Sequence, residues 1–562
     1  MALFPILIIV FYPAFAGPFL LDDSSAIQNN SDIRHISLDN LVKIFKGHGN
    51  VRGYDHHPVS AMAAMLDYQW SGVDPFGYHI SNLIYHWFAC GTVLLLFLTV
   101  WKSFSLQKGY DTNTSTALWM GASVMFIWSV HPFATMPVAY ITCRQETILV
   151  TLYMLSLVCV LRGWLAASIF LGIGSFLCKE VAVTLPGAIF LVDWAHGGLG
   201  VVETVRKRFR YYFALTSIWL LVCFYHLRGG RRNEIFAAGA PLASTLEYFK
   251  AECGVIATYV SKLFWPAKLQ FYPYVRPVEG WTEWVPALIV ILLYIATAVY
   301  CLRFSRWLAV TLIFPLLVLS PTSSVLPIPF EPSMEYRMYL PSVALIGLIV
   351  IAIWRWVPKL PLRLAVVGML MLPLAVVSHI RTKDYKTAMT LYEHDYSIDP
   401  RGLNTLEGLA GIYLGAKRYD LAKEMAWKMI DWASADNNKD FQSRGFNSLG
   451  LIEFDRKNRI EAKAHFQKAI QISGNWGAKL NLATVHVDLY EIDQAEKLLA
   501  EYLVYTPDSP EALLMLYESK MSTKKYDEAE KVFEHFMSIY PERHDLDSQR
   551  TRILNLRRNN KL

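Results

Sequence analysis

Two adjacent carboxylates, Asp22 and Asp23, follow an apolar run that begins at residue 2. They stand where a membrane helix would leave the bilayer, at the head of a long polar stretch, residues 21–82. Ionisable groups at a membrane boundary are costly and mark functional sites. A carboxylate placed there has the chemistry of a general base working on the far side of the membrane. Further polar groups recur at the ends of apolar runs: His57, His131, Arg144 with Glu146, Lys179-Glu180, and Glu335 with Arg337 and Tyr339. Guanidinium and ammonium groups bind phosphate well. Arg144, Lys179 and Arg337, with Arg228 and Arg231, are therefore read as ligands of a phosphate at the outer leaflet. His57, His131, Glu146, Glu180, Glu335 and Tyr339 are read as substrate-binding.

Each group also has a plainer reading. Asp22-Asp23 would serve as an N-cap for a helix starting near Ser24. Lys179-Glu180 and Glu335 with Arg337 would serve as internal ion pairs. His56 and His57 are adjacent, so they point apart, and no further ligand follows at metal spacing. No metal and no cofactor are expected.

These residues need a membrane frame. The chain has 562 residues, 54% hydrophobic and 14% aromatic, with 18% charged. That is less charge than a soluble domain carries. Residues 1–380 hold the long apolar runs, whereas residues 381–562 are polar. A bilayer core takes about 20 apolar residues as helix. The expected spans are 2–20, 83–101, 117–135, 147–161, 164–178, 181–195, 211–226, 284–302, 306–324, 339–356 and 361–379, about eleven in all. Alternate connections take most of the short-loop cations, among them Lys102, Lys108, Arg162, Arg206, Lys207, Arg303, Arg306, Arg355 and Lys359. By the positive-inside rule those connections are cytoplasmic. Residues 21–82, 227–282 and 381–562 are then extracytoplasmic, and Arg144, Lys179 and Arg337 sit there against the rule. Ala14-Phe15-Ala16 would suit signal cleavage, but an anchored first segment is the expectation because the acidic pair needs a membrane anchor to place it.

Leu246, Phe249, Ile256, Val260 and Leu263 predict an amphipathic helix on the membrane surface. A span at 249–265 is the alternative; it would hold Lys250, Glu252 and Lys262. The seven cysteines lie in the membrane half without paired spacing, which argues against a disulfide framework. A formal net charge of +6, spread along the chain, predicts no nucleic-acid partner.

The polar half is a repeat array. Ala422, Ala462, Ala495 and Ala529 recur near the 34-residue tetratricopeptide period. An insertion falls around Ala433–Asp440 in the first unit. Small residues at these positions let paired helices approach, and each unit needs its neighbour. Such a solenoid suits a protein segment as ligand.

The motifs together resemble a known family. Phe19-Leu-Leu-Asp22-Asp23, Pro75-Phe-Gly-Tyr78-His79-Ile-Ser81-Asn82, Val130-His131-Pro132, Lys179-Glu180 and Tyr339-Leu-Pro-Ser342 are similar to motifs of the transmembrane O-mannosyltransferases that target cadherins, and of their bacterial relatives. The order, a polytopic half followed by tetratricopeptide repeats, is also theirs. The resemblance implies an all-α polytopic GT-C membrane fold followed by a soluble solenoid. It implies an inverting glycosyltransferase that uses a polyprenyl-phosphate-linked sugar at the extracytoplasmic face. The lipid phosphate then becomes the ligand of the cations, and the base falls on Asp22 or Asp23. A Ser or Thr hydroxyl of a protein is the expected acceptor, recruited by the repeats. The setting is a bacterial inner membrane, or the endoplasmic reticulum in a eukaryote. Departures occur at His57-Pro58, where the family often has Arg-Pro, at Arg144-Gln145-Glu146, often Arg-x-Asp, and at Glu335-Tyr336-Arg337, often Glu-Arg. A glycan polymerase or ligase, and a non-enzymatic membrane scaffold, are the rival functions.

Overall fold

A computed structural model describes residues 3–46, 54, 57–108, 114–228, 244–278, 280–323 and 333–539. All regular structure among them is helical. Each of the eleven apolar windows falls on a helix, but the helices differ in length. Pro75–Gln107, Ile141–Leu161, Trp281–Cys301 and Leu360–Asp384 are long and apolar enough to cross a membrane. Two more qualify as bent pairs, Ser115–Ser129 with Pro132–Ala139 at 60° and Glu180–Gly197 with Val201–Lys207 at 100°. Leu3–Ala16, Leu165–Phe176, Phe209–Phe224, Arg306–Leu319 and Ser342–Trp356 are shorter. A helix rises about 1.5 Å per residue and the hydrocarbon core is about 30 Å thick. Among the described residues, four helices, or six with the bent pairs, are long and apolar enough to cross, which does not confirm all eleven expected spans. The first window shows why. Its helix ends at Phe11, a 3-10 turn holding Pro13 follows, and Gly17-Pro18 closes the segment.

The chain divides into two compact units, Met1–Ile398 and Asp399–Leu562. The first therefore runs past residue 380 and includes the helix Ala388–Ile398. One apolar core links its first helix, through Leu7 and Phe11, to residues as distant as Val367. Where Leu165–Phe176 meets its neighbours, a Cβ on Gly172 would lie 2.9 Å from both Leu185 and Trp219, so the close approach needs glycine. The expected amphipathic segment is the helix Thr245–Phe264. It exposes Leu246 and Val260, yet buries Leu263 together with Glu252 and Lys262.

The second unit contains four helix hairpins among the described residues, from Leu403–Gly415 with Tyr419–Ala435 to Pro510–Ser522 with Tyr526–Ile539. Ala422, Ala462, Ala495 and Ala529 are fully buried, each near the start of its hairpin's second helix. Five residues before each alanine, Lys417, Lys457, Tyr490 and Lys524 hold left-handed turns with φ of 57°, 66°, 60° and 60°. A Cβ on Gly450 would meet the Phe466 ring at 2.5 Å, which is how one hairpin closes. The insertion near 433–440 lengthens the first hairpin's second helix to 17 residues and ends in a turn at Asn437.

Candidate functional site

The two aspartates have opposite environments. Leu21 takes a left-handed φ of 44°, a conformation that costs an L-residue about 1–2 kcal/mol. The turn leaves Asp22 exposed and Asp23 1% exposed. Asp23 accepts from the Leu20 amide at 3.0 Å on Oδ2 and from the Thr142 amide at 2.8 Å on Oδ1. Burial pushes its pKa up to about 7, against the opposing pull of those amides and of Arg144. The Asp22 amide donates to the Tyr140 hydroxyl at 3.2 Å. No side-chain cap bond joins Asp23 to the π-helical turn Ser24–Gln28 that follows.

Residues 140–146 are the hub. Tyr140 meets Asp22, Thr142 meets Asp23, Arg144 meets Asp67 and Glu146 meets Lys179. Arg144 is fully buried; it pairs with Asp67, donates to the Ile141 and Tyr78 carbonyls, and lies 5.3 Å from the Tyr78 ring. Its charge is thus used inside the fold. Lys179 reaches Glu146 at 2.6 Å and sits 4.0 Å over the Tyr336 ring, with its side chain 18% exposed. His57 and Glu180 lie 3.0 Å apart, and the Val59 amide and Ser60 hydroxyl dock on the carbonyls of Leu177 and Cys178.

The motif on Pro75–Lys108 serves as a ruler along one helix face. His79 bonds the Gly17 carbonyl, and Ser81 donates to Asp67. Asn82 donates toward the carbonyls of Val138, Tyr140 and Ile141 at 3.3–3.4 Å. His86 links Tyr339 at 2.6 Å to the Ser129 carbonyl at 2.9 Å. Residues 78, 82 and 86 are spaced by four, so the 140–146 hub and the Tyr339 turn are registered on the same helix.

Glu335 accepts from Lys262 at 2.6 Å and from the Gln270 amide at 2.9 Å. Arg337 lies 3.9 Å from Glu252 and donates to the Thr322 carbonyl at 2.9 Å. Burial raises the pKa of Glu252 to about 7, opposed by Arg337. His131 accepts from the Phe133 amide on Nδ1, leaving Nε2 to donate to Leu263 at 3.1 Å; both nitrogens serve the fold. Tyr339 is fully buried, with its carbonyl on the Trp128 indole. Arg228 ends the helix Phe209–Arg228; its side chain, all of Arg231, and His56 lie outside the described residues.

Three partners were not singled out as site residues from sequence: Tyr140, Lys262 and Asp395. Lys262 and Glu252 did carry a signal, being charges inside an otherwise apolar helix. Tyr140 and Asp395 carried none, because their partners are remote in sequence.

Fold and site together define an all-helical protein with membrane-length helices, an acid-and-cation cluster and a helical repeat array. Residues 454–516 match the tetratricopeptide repeat family. Over 227 residues, 36% of this chain and 30% of the relative, the sequence is 27% identical to protein O-mannosyl-transferase TMTC4 of Mus musculus. It is 26% identical over 222 residues to TMTC4 of Homo sapiens, and 26% identical over 200 residues to human protein O-mannosyl-transferase TMTC1. The chain resembles these proteins while spanning 30%, 30% and 21% of their lengths. Among solved structures, yeast Tom70 aligns with 82% of this chain and 96% of its own at 12% identity and a TM-score of 0.28, too low to carry an argument.

Proposed function

We propose that this chain is an integral-membrane glycosyltransferase that moves a sugar from a polyprenyl-phosphate-linked donor to a Ser or Thr hydroxyl of a protein. The observation that carries the reading is the opposite burial of the paired acids, with Asp23 tied down and Asp22 presented outward. Asp22 is then the base and Asp23 its anchor. The hydroxyl proton passes to Asp22, the oxygen bonds to the anomeric carbon, and the bond from that carbon to the lipid phosphate breaks. One displacement of this kind inverts the centre. A positioned base supplies about 10²–10⁴-fold.

The leaving phosphate gains charge, and cations stabilise such a group most in a site that excludes water. Lys179 is the more open of the three described cations, and an ammonium has three donors. One donor is held by Glu146, which leaves others for phosphate. Arg337 would act beside it, and Arg144 would shape the hub. The relatives' name makes mannose the first sugar to test. The membrane unit would hold the chemistry, on the extracytoplasmic side, and the repeats would recruit the acceptor.

The test uses the full chain in liposomes with dolichyl phosphate mannose and a Ser/Thr-rich peptide, read by mass spectrometry. Mannosylated peptide that disappears with Asp22→Asn supports the reading. Sugar added to a glycan instead would make the protein a ligase, and no transfer would leave the scaffold reading.

A further inference from the structure

Two buried carboxylates, Glu335 and Asp395, organise the segment that backs Asp22. The backbone at 265–278 forms no helix. Its three successive amides at 270, 271 and 272 all end on carboxylates. Gln270 donates to Glu335 at 2.9 Å. Phe271 donates to both oxygens of Asp395, at 2.9 and 2.8 Å, and Tyr272 donates to Oδ2 at 2.9 Å. Asp395 is fully buried on the helix Ala388–Ile398, with Arg381 3.7 Å away for charge balance. The clamp presents the Phe271 ring edge-on to Tyr140 at 5.3 Å. The Tyr140 hydroxyl in turn accepts from the Asp22 amide at 3.2 Å.

We propose that Asp395 is a positioning residue for Asp22, acting through Phe271 and Tyr140. The proposal rests on Asp22 being the base. Three rigid links stand between the two carboxylates: a backbone clamp, an aromatic edge and one hydrogen bond. The strained Leu21 turn before Asp22 needs such support, because a left-handed leucine relaxes unless its surroundings hold it. Asp395 touches none of the reacting atoms in this arrangement. It sets where the base stands, and small misplacements of a base are expensive in rate.

The test uses the full chain with Asp395→Asn, Tyr140→Phe and the double variant. Donor kinetics with dolichyl phosphate mannose and the acceptor peptide are paired with amide hydrogen exchange. Asp395→Asn should lower kcat roughly tenfold with donor KM held within about twofold. The double variant should be no slower than the slower single one, since coupled residues are not additive. Exchange should rise at residues 268–274 and also at 19–26, and the rise at 19–26 should not grow further in the double variant. Multiplying losses, or faster exchange confined to 268–274, would overturn the proposal. Should Asp395→Asn fail to fold, Phe271→Leu keeps the clamp, removes the ring edge, and is read by the same two criteria. If the unmodified chain transfers no mannose, the glycosyltransferase reading fails, while exchange at 19–26 still decides the relay.

Discussion

The amide of Thr142 donates to Oδ1 of Asp23 at 2.8 Å, joining positions 119 residues apart. That bond fixes which of two neighbouring aspartates faces solvent. It also ties the first polar segment to the hub at 140–146, where Tyr140, Arg144 and Glu146 take up Asp22, Asp67 and Lys179 in turn.

The paired acids should therefore fail differently. Asp22→Asn should cut transfer by about 10²–10⁴-fold with the melting temperature unchanged. Asp23→Asn turns one acceptor into a donor facing a backbone amide. It should cost about 1–3 kcal/mol of stability, visible as a lower melting temperature. Equal stability of the two variants would remove the distinction between base and anchor.

Stability should also depend on pH through Asp23. Its folded pKa of about 7 stands above the ordinary 3.8, so the folded state holds the proton more tightly. The contribution is fully present below pH 3.8 and is lost as pH rises through about 7. At most about 4 kcal/mol is involved, from about 1.4 kcal/mol per unit. Glu252, also raised to about 7, acts with the same sign. Melting scans from pH 5 to 8 should show a falling midpoint, and Asp23→Asn should flatten the slope.

Lys179 and Arg144 should separate as ligand and framework. Lys179→Ala should raise the donor KM about ten- to a hundredfold, from roughly 1.5–3 kcal/mol for a charged hydrogen bond. Arg144→Ala would strand buried Asp67, and breaking a buried pair costs about 3–5 kcal/mol. Poor folding of Arg144→Ala, against a well-folded Lys179→Ala with weak donor use, is the expected contrast.

A chain ending at Ile398 retains Asp395 and should keep donor use. It should modify a native protein acceptor poorly and a concentrated short peptide better, since positioning acts as effective concentration. A chain ending at residue 387 lacks Asp395 and should be slower in transfer to either acceptor. Equal behaviour of the two truncations would mean that the helix Ala388–Ile398 contributes nothing to the site.

The left-handed hairpin turns offer a stability test. Lys457→Gly and Lys524→Gly should each add about 0.5–1 kcal/mol, the relief of a left-handed residue less the added freedom of the unfolded chain. Protease protection of the repeats in the full chain measures it. No gain at either turn would mean the turns are held by their surroundings.

Local periodicity made much of this protein legible. Alanines near a 34-residue period marked the second helix of each hairpin, because close helix approach excludes larger residues wherever the pattern recurs. Apolar windows located the membrane-half helices for the same reason, as hydropathy is a sum over neighbours. The first window runs longer than its helix: Pro13 and Gly17 end that helix early, and a windowed average passes over such breaks. Asp22 and Asp23 were equally visible as a pair, yet nothing local distinguished them.

The sequence by itself determined an all-helical chain, apolar then repetitive, with acids and cations gathered at segment ends. Only the tertiary structure decided their partners: Asp67 for Arg144, Glu146 for Lys179, Glu252 for Arg337 and Asp395 for the Phe271 amide. The reason is physical. Periodicity records what a residue needs from its own helix, whereas a buried charge is satisfied by whichever group the packing brings within reach, at any distance along the chain.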